Sequence, residues 1–184
     1  MKNLEMTVLS ASLGLALLAG SGCQSNLKRT SVSDPPSLSV TKPDYILGFE
    51  PLKRGRPSFE VFRFTLTNKS NEAIRIDWHR TVYMLNGRPY GMFVSKDTEP
   101  GRVKDPDKRY ETVTAGSTFT KDIAPVKLIA YAPAKYTKNA PQDAPPFSAG
   151  PIPMGRSGIR LWLTQGDRNV LEELSLKIVE AEID

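Results

Sequence analysis

Residues 59–67 (FEVFRFTLT) decide the fold class of this chain, because their large apolar side chains recur at every second position. Side chains of an extended strand point to opposite faces in turn, so this spacing predicts a half-buried β-strand. Residues 68–71 (NKSN) read as a turn, since Asn and Ser side chains bond to nearby backbone. Residues 73–78 (AIRIDW) alternate again, and we therefore expect the two strands to form a hairpin.

A second hairpin is predicted immediately downstream. Residues 81–85 (TVYML) and 90–94 (YGMFV) flank Asn86-Gly87, and this dipeptide favours the type I′ turn, in which both central residues have positive φ. Pro89 has no backbone N–H donor, so we expect the returning strand to lie at a sheet edge.

Further strands are predicted at residues 111–114, 117–129, 158–164 and 174–183. The last also has helical spacing, but its strict alternation favours a strand. Seven or eight short strands separated by turns indicate an all-β domain, a single antiparallel β-sandwich of the immunoglobulin-like or fibronectin-like type. The residues expected to line its core are Phe62, Phe64, Leu66, Ile74, Ile76, Trp78, Leu161 and Leu163.

The segment before this domain has a different composition. Residues 24–44 contain five Ser and three Pro but few aliphatic side chains, so they bury too little apolar surface to offset the entropy of ordering. We therefore predict a flexible linker here, and a folded domain over residues 45–184.

The first residues have the pattern of an export signal. Lys2 lies in a short polar start, residues 6–19 are uncharged and largely apolar, and the small residues 20–22 lead to Cys23, the only cysteine. This order is typical of a secretory signal peptide over residues 1–22. The apolar run is shorter than the roughly 20 residues that a membrane-spanning helix needs.

The sequence Ala19-Gly20-Ser21-Gly22-Cys23 resembles the lipobox of bacterial lipoproteins. The resemblance implies a lipid on the Cys23 thiol and cleavage just before it, so that residues 23–44 become a lipid-anchored linker. Gln24 in place of Asp implies transport to the outer membrane, at its periplasmic face. Ordinary signal cleavage, giving a soluble periplasmic protein, and an uncleaved anchor remain the alternatives.

Composition limits the functional classes. The net charge is +5 and the pI about 9.3, which favours anionic surroundings such as lipopolysaccharide or peptidoglycan carboxylates. Use of Cys23 for lipidation leaves the domain without cysteine, so packing alone must stabilise it. Export makes nucleic acid an improbable partner.

Two patterns suggest catalysis or nucleotide binding, and neither is convincing. Residues 150–157 (GPIPMGRS) approximate a phosphate-binding loop, but two prolines remove the backbone N–H donors that such a loop needs. His79 is the only histidine, with Asp77 on the same strand face, yet no nucleophile motif accompanies them. We predict no catalytic residue and no cofactor.

Two charged segments are candidate ion sites. Residues 97–107 hold four carboxylates, but basic residues are interleaved and the spacing differs from that of a calcium loop, so we predict no metal site. The carboxylates are those of Asp97, Glu99, Asp105 and Asp107. Residues 53–56 (KRGR) form a basic turn that is either a solvated turn or an anion contact.

A proline-rich segment, residues 132–156, is the candidate partner-binding loop, with Tyr136, Phe147, Ile152 and Met154 as apolar anchors. The alternative is a loop that folds back over the sheet. The leading hypothesis is a lipid-anchored, non-enzymatic binding or assembly module of the cell envelope. A cell-wall or polysaccharide hydrolase that uses paired carboxylates and a small-ligand carrier with an apolar pocket are the alternatives.

Overall fold

The computed structural model describes residues 28–95, 110–130 and 148–183, which form β-strands joined by turns and one short 3₁₀ segment, Val126–Leu128. The prediction of an all-β chain is confirmed. The strands are β1 Lys28–Asp34, β2 Leu38–Thr41, β3 Tyr45–Lys53, β4 Phe59–Asn68, β5 Ile74–Asp77, β6 Val82–Leu85, β7 Arg88–Ser95, β8 Tyr110–Val113, β9 Thr118–Pro125, β10 Ile129–Ala130, β11 Ser148–Ala149, β12 Gly155–Gln165 and β13 Arg168–Ile183.

Eleven of these strands form one antiparallel sheet that curls on itself, in the order β1-β13-β12-β6-β7-β9-β4-β3-β2. Strand β5 pairs with the other end of β12, β8 pairs with β5, and β10 pairs only with β11. Because β7 pairs with both β6 and β9, it joins two halves of the sheet. The predicted sandwich has two facing sheets, whereas eleven of the described strands form one continuous curled sheet.

The core lies on the concave side of the curl. All eight residues predicted to line it are buried, none more than 7% exposed, so the predicted strand phases are confirmed. Aromatic rings connect the two halves across the core: Phe62 of β4 lies 6.0 Å from Tyr83 of β6, and Phe64 meets Trp78 edge-on at 5.5 Å. Such ring pairs add to the free energy gained from burial alone.

The predicted hairpin of residues 59–67 and 73–78 is wrong. Strand β4 lies between β3 and β9, and β5 lies between β12 and β8. The cause is the connection between them, where Asn68 is 1% exposed and its side chain bonds to Ser70, to the Glu72 carbonyl and to the Val113 carbonyl. The connection carries the chain from one half of the sheet to the other. Strand β4 and the β5 segment therefore contact each other through side chains and not through backbone hydrogen bonds.

The second predicted hairpin is confirmed. Strands β6 and β7 pair, and Asn86 and Gly87 have φ values of 51° and 77°, as a type I′ turn requires. The prediction that the returning strand lies at a sheet edge is wrong, because β7 lies between β6 and β9. Strand β9 pairs with β7 only from Phe93 onward. Pro89, in the first part of β7, therefore needs no N–H donor toward β9.

The predicted flexible linker is wrong from residue 28 onward. Strand β1 pairs with β13 over seven residues, and β2 pairs with β3, while Leu38 and Val40 pack against the core. A polar segment gains order here because the backbone groups of β1 and β2 that face β13 and β3 form hydrogen bonds in the two ladders. The folded unit therefore includes residues 28–44, ahead of the predicted boundary at residue 45.

Polar contacts fasten the two outer strands of the curl. On β1, the Ser31 N–H and the Thr30 hydroxyl donate to the Pro57 carbonyl at 2.9 and 2.8 Å. Near β2, the Glu172 carboxylate of β13 accepts from the Tyr45 hydroxyl at 2.8 Å and lies 3.1 Å from the Lys42 ammonium group. We call the group of Lys42, Tyr45 and Glu172 the end clamp.

The end clamp predicts a pH dependence of stability. Burial, the hydrogen bond to Glu172 and the negative charge of that carboxylate raise the pKa of Tyr45 above its ordinary value of 10.0. The fold therefore keeps the phenol neutral, a contribution that is complete below pH 10 and is lost as the pH rises further. By pH 11, wild type should lose about 1 kcal/mol more of its unfolding free energy than Tyr45→Phe.

Urea unfolding at pH 9 and pH 11 measures this difference. The matched control is Tyr110→Phe, because Tyr110 is 41% exposed, and this variant should follow the wild-type pH dependence. Equal losses in wild type and Tyr45→Phe would contradict the prediction.

Candidate binding face

The candidate site lies on the outer face of the sheet, the side of β13, β12, β5 and β8 that points away from the core. Strand β12 alternates strictly, with Ile159, Leu161 and Leu163 buried in the core. The intervening residues therefore face outward. They are Arg156, Gly158, Arg160, Trp162 and Thr164.

Two arginine side chains lie over aromatic rings on this face. The guanidinium carbon of Arg80 is 3.5 Å from the centroid of the Trp162 ring, and that of Arg75 is 4.6 Å from the centroid of the Tyr110 ring. Such contacts stabilise exposed sites by about 0.5–1 kcal/mol each. They also fix the plane of each guanidinium, so less entropy is lost when it binds a ligand. We call the four outward arginines, Arg75, Arg80, Arg156 and Arg160, together with the Tyr110 and Trp162 rings, the arginine face.

The turn that carries Arg80 is fastened to the sheet. The Asp77 carboxylate accepts from the backbone N–H groups of His79 and Arg80, each at 3.0 Å. The Thr81 hydroxyl donates to the Asp77 carbonyl at 2.7 Å and accepts from the Trp162 N–H at 3.2 Å. Because the turn is hydrogen-bonded to the backbone of Trp162, the fold itself places Arg80 over the Trp162 ring.

The register places these groups in one row across four strands. Leu171 pairs with Trp162, and Asp77 pairs with Tyr110, while Ile76 pairs with Leu163 next to Trp162. Leu171 and Tyr110 at the ends of this row are 47% and 41% exposed. The row therefore combines apolar surface with the two stacked cations.

A shallow hollow of about 120 Å³ lies on the same face. Its floor is Gly158, where a Cβ atom would come within 2.4 Å of the Leu174 carbonyl oxygen. Met84, Arg156 and Arg160 are among the residues around it. The hollow therefore lies between two arginines, beside a close approach of β12 and β13 that leaves no space for a side chain at residue 158.

The arginine face has unbalanced positive charge. Arg160 pairs with Glu173 at 2.5 Å, whereas the guanidinium groups of Arg75, Arg80 and Arg156 have neither an ion pair nor a hydrogen bond among the described residues. Guanidinium groups match the planar geometry of carboxylate and phosphate oxygens. These three guanidinium groups can therefore bind anions without first breaking an ion pair within the protein.

The suggested pair of His79 and Asp77 is not assembled for catalysis. The Asp77 carboxylate is 7% exposed and is engaged by backbone N–H groups of the turn, including that of His79, while the His79 residue is exposed. Asp77 therefore works as a turn-stabilising acceptor. In the described part of the chain, no group of three or more His, Cys, Asp or Glu residues could hold a metal ion.

The basic turn at residues 53–56 is used internally. The Lys53 ammonium donates to the Thr30 hydroxyl at 2.5 Å, Arg54 pairs with Asp122, and Arg56 lies 3.2 Å from Glu60. Each cation therefore already has a partner. This finding favours the solvated structural turn over the anion contact.

Residues 150–157 do not form a phosphate-binding loop. The N–H groups of Gly150, Ile152 and Arg156 donate to the Leu128 carbonyl, the Phe59 carbonyl and the Asn86 side chain. Strand β12 follows where such a loop would start a helix. The rejection of this motif is confirmed, with internal hydrogen bonds as an additional reason.

The candidate loop over residues 132–156 is described only from Ser148 onward, where Ile152 is 1% exposed and Met154 is 43% exposed. Ile152 therefore packs into the core, as expected of a loop that folds back over the sheet. Tyr136 and Phe147 lie outside the described residues, as do the four carboxylates of residues 97–107 and Cys23 with the signal segment. Among the described residues, no helix is long and apolar enough to cross a bilayer.

The sequence analysis missed the arginine face. The available signal was Trp162, an aromatic residue at an outward position of an alternating strand, with Arg75 at the outward position of a neighbouring strand. Comparison with family models, with curated proteins and with solved structures gives no match.

Proposed function

We propose that this protein is an exported, lipid-anchored lipoprotein of the bacterial cell envelope that acts as a non-enzymatic binding or assembly module. The signal pattern that ends at Cys23 supports the anchor and the location, at the periplasmic face of the outer membrane. The observation that carries the binding role is the stack of Arg80 on Trp162, together with three guanidinium groups on the same face that have no ion pair or hydrogen bond among the described residues.

We further propose that the curled sheet is a variant of the immunoglobulin-like β-sandwich. Two observations support this description. The strands are antiparallel, and Phe62 of β4 packs against the rings of Tyr83 in β6 and Phe93 in β7 across one core. Facing layers of this kind are the hallmark of sandwich folds.

The packed interior favours a binding module over a small-ligand carrier. Phe62 stacks on Phe49 at 4.4 Å, and Tyr83 meets Phe93 at 5.7 Å, so aromatic rings occupy the space that a ligand pocket would need. The Glu172 carboxylate is already bound by the Tyr45 hydroxyl and the Lys42 ammonium group in the end clamp. A carboxylate engaged in this way is poorly placed to serve as one of the paired acids of a hydrolase.

The proposed partners are the membrane, reached through the lipid on Cys23, and a second envelope component. The predicted partner loop, residues 132–156, retains one exposed apolar side chain in its described part, that of Met154. Because Ile152 is buried in the core, we place the main contact on the arginine face.

The anchor is tested by Cys23→Ser. If Cys23 carries the lipid, this change should move nearly all of the protein from the membrane fraction to the soluble periplasmic fraction, because two or more acyl chains bind a bilayer stably and none remains. Fractionation with immunoblotting measures the shift, and mass spectrometry of the wild-type amino terminus identifies the lipid.

A matched control is Ser25→Ala, which changes a neighbouring polar residue and should leave the protein in the membrane fraction. An unmodified Cys23 thiol, or an amino terminus upstream of Cys23, would refute the anchor. Ordinary signal cleavage would then be the correct alternative.

A further inference from the structure

We propose that the arginine face binds an extended anionic polysaccharide, whose carboxylate or phosphate groups pair with the outward arginines. This inference rests on the proposed function for one choice only: export selects a polysaccharide over a nucleic acid.

The spacing excludes a single small anion as the ligand. Arg156 and Arg160 are four residues apart on β12, and a strand rises about 3.3 Å per residue, so their Cα atoms lie about 13 Å apart. Trp162, under Arg80, lies about 7 Å further along, in the same cross-strand row as Tyr110, over which the Arg75 guanidinium lies. Cations distributed over about 20 Å of β12 cannot converge on one phosphate, but they can follow a chain with repeated charges.

The groups beside the cations suit sugar rings. The hollow near Gly158 lies between Arg156 and Arg160 along β12. Leu171 and Tyr110 present exposed apolar surface on either side of Trp162, in the row that crosses β12. Sugar rings have C–H faces that pack on aromatic and aliphatic side chains, and their anionic substituents project sideways. A stiff polysaccharide also loses less conformational entropy on binding than a flexible acidic peptide of equal charge.

The charges favour an anion at every step along the face. Arg160 is the one outward arginine with an acidic partner in the described part of the chain, and that partner, Glu173, is itself half exposed at 55%. Exposed pairs of this kind are worth little, so a ligand anion can compete for Arg160 at small cost. The remaining three guanidinium groups need no such exchange.

The test uses the full chain in a non-ionic detergent and four polymeric probes. Polygalacturonate supplies carboxylates and phosphomannan supplies phosphates, while polyglutamate and oligothymidylate represent an acidic peptide and a nucleic acid. We expect one or both polysaccharides to bind at least tenfold more tightly than the other two probes. Neutral dextran should not bind measurably.

The variants locate the site. Arg80→Gln and Arg156→Gln should each weaken polysaccharide binding about 3- to 10-fold, and the double variant about 10- to 100-fold, with reduced salt dependence. Arg80→Lys keeps the charge but loses the planar stack, so it should also weaken binding. The control Lys69→Gln removes one exposed cation from the turn after β4, and it should change binding less than twofold.

Three results would overturn the proposal. Equal or tighter binding of polyglutamate or oligothymidylate would assign the face to a different polymer. Full polysaccharide binding by the double variant would place the site elsewhere, and absence of binding to both polysaccharides would remove it. Circular dichroism confirms that each variant is folded. The Cys23 fractionation is independent of these measurements, so failure of the anchor and failure of the polysaccharide site are distinguishable.

Discussion

Phe62→Ala should lower the free energy of unfolding by about 3–5 kcal/mol, the usual cost of removing a fully buried aromatic ring. The ring is 0% exposed, stacks on Phe49 and contacts the rings of Tyr83 and Phe93. These rings come from β3, β6 and β7, so Phe62 joins the two halves of the curled sheet. The cavity left by alanine would remove contacts on both sides.

Urea unfolding followed by tryptophan fluorescence measures this loss. Leu171→Ala is the matched control, because it also removes a large apolar side chain, but from a position that is 47% exposed. It should change stability by about 0.5 kcal/mol or less. A loss below about 1 kcal/mol in Phe62→Ala would contradict the core described above.

Asn68→Ala should cost about 2–4 kcal/mol, because it removes the partner of the buried Val113 carbonyl together with the other side-chain bonds of the connection. The Asn68 amide donates to the carbonyls of Glu72 and Val113 at 2.8 and 3.0 Å, and its oxygen accepts from the backbone N–H and the hydroxyl of Ser70. These four bonds hold the connection that carries the chain from β4 to β5. Its loss should therefore loosen both halves of the sheet at once.

Differential scanning calorimetry checks this effect, and Asn71→Ala is the control, since Asn71 is an exposed asparagine in the same turn. Asn68→Asp adds a second comparison: it keeps an acceptor for Ser70 but directs a carboxylate at two carbonyls. We expect it to be at least as destabilising as Asn68→Ala. Equal melting temperatures for Asn68→Ala and Asn71→Ala would show that the side-chain bonds do not stabilise the fold.

The sequence was sufficient for the features that depend on local pattern. Alternation in residues 59–67 and 158–164 identifies the inward side chains, because a strand has a fixed period of two. Asn86-Gly87 identifies a turn, because few other residues accept its backbone angles. Both kinds of signal act within a few residues, and both predictions are confirmed.

The predictions that failed depend on partners distant in the chain. Strand β1 is ordered by β13, where Lys28 pairs with Ile183, and nothing within residues 24–44 reveals that partner. In the same way, alternation in β4 and β5 does not specify that each pairs with other strands. The arginine face depends on a tertiary contact in addition to strand pairing. Arg80 lies over Trp162 because the turn that carries it is hydrogen-bonded, through Thr81, to the backbone of β12.

The start of β1 at Lys28 limits how far the arginine face can lie from a membrane to which Cys23 is anchored. Four residues lie between Cys23 and Lys28, and the five Cα–Cα steps from one to the other span about 17 Å at full extension. Strand β1 then runs about 20 Å to Asp34, which lies beside Lys177 and, through it, beside Arg156. With the lipid that we propose on Cys23, the nearest outward arginine is therefore confined to within about 40 Å of the bilayer. A protein anchored in this way would bind only polymer that lies close to its own membrane, and it would not reach polymer farther away.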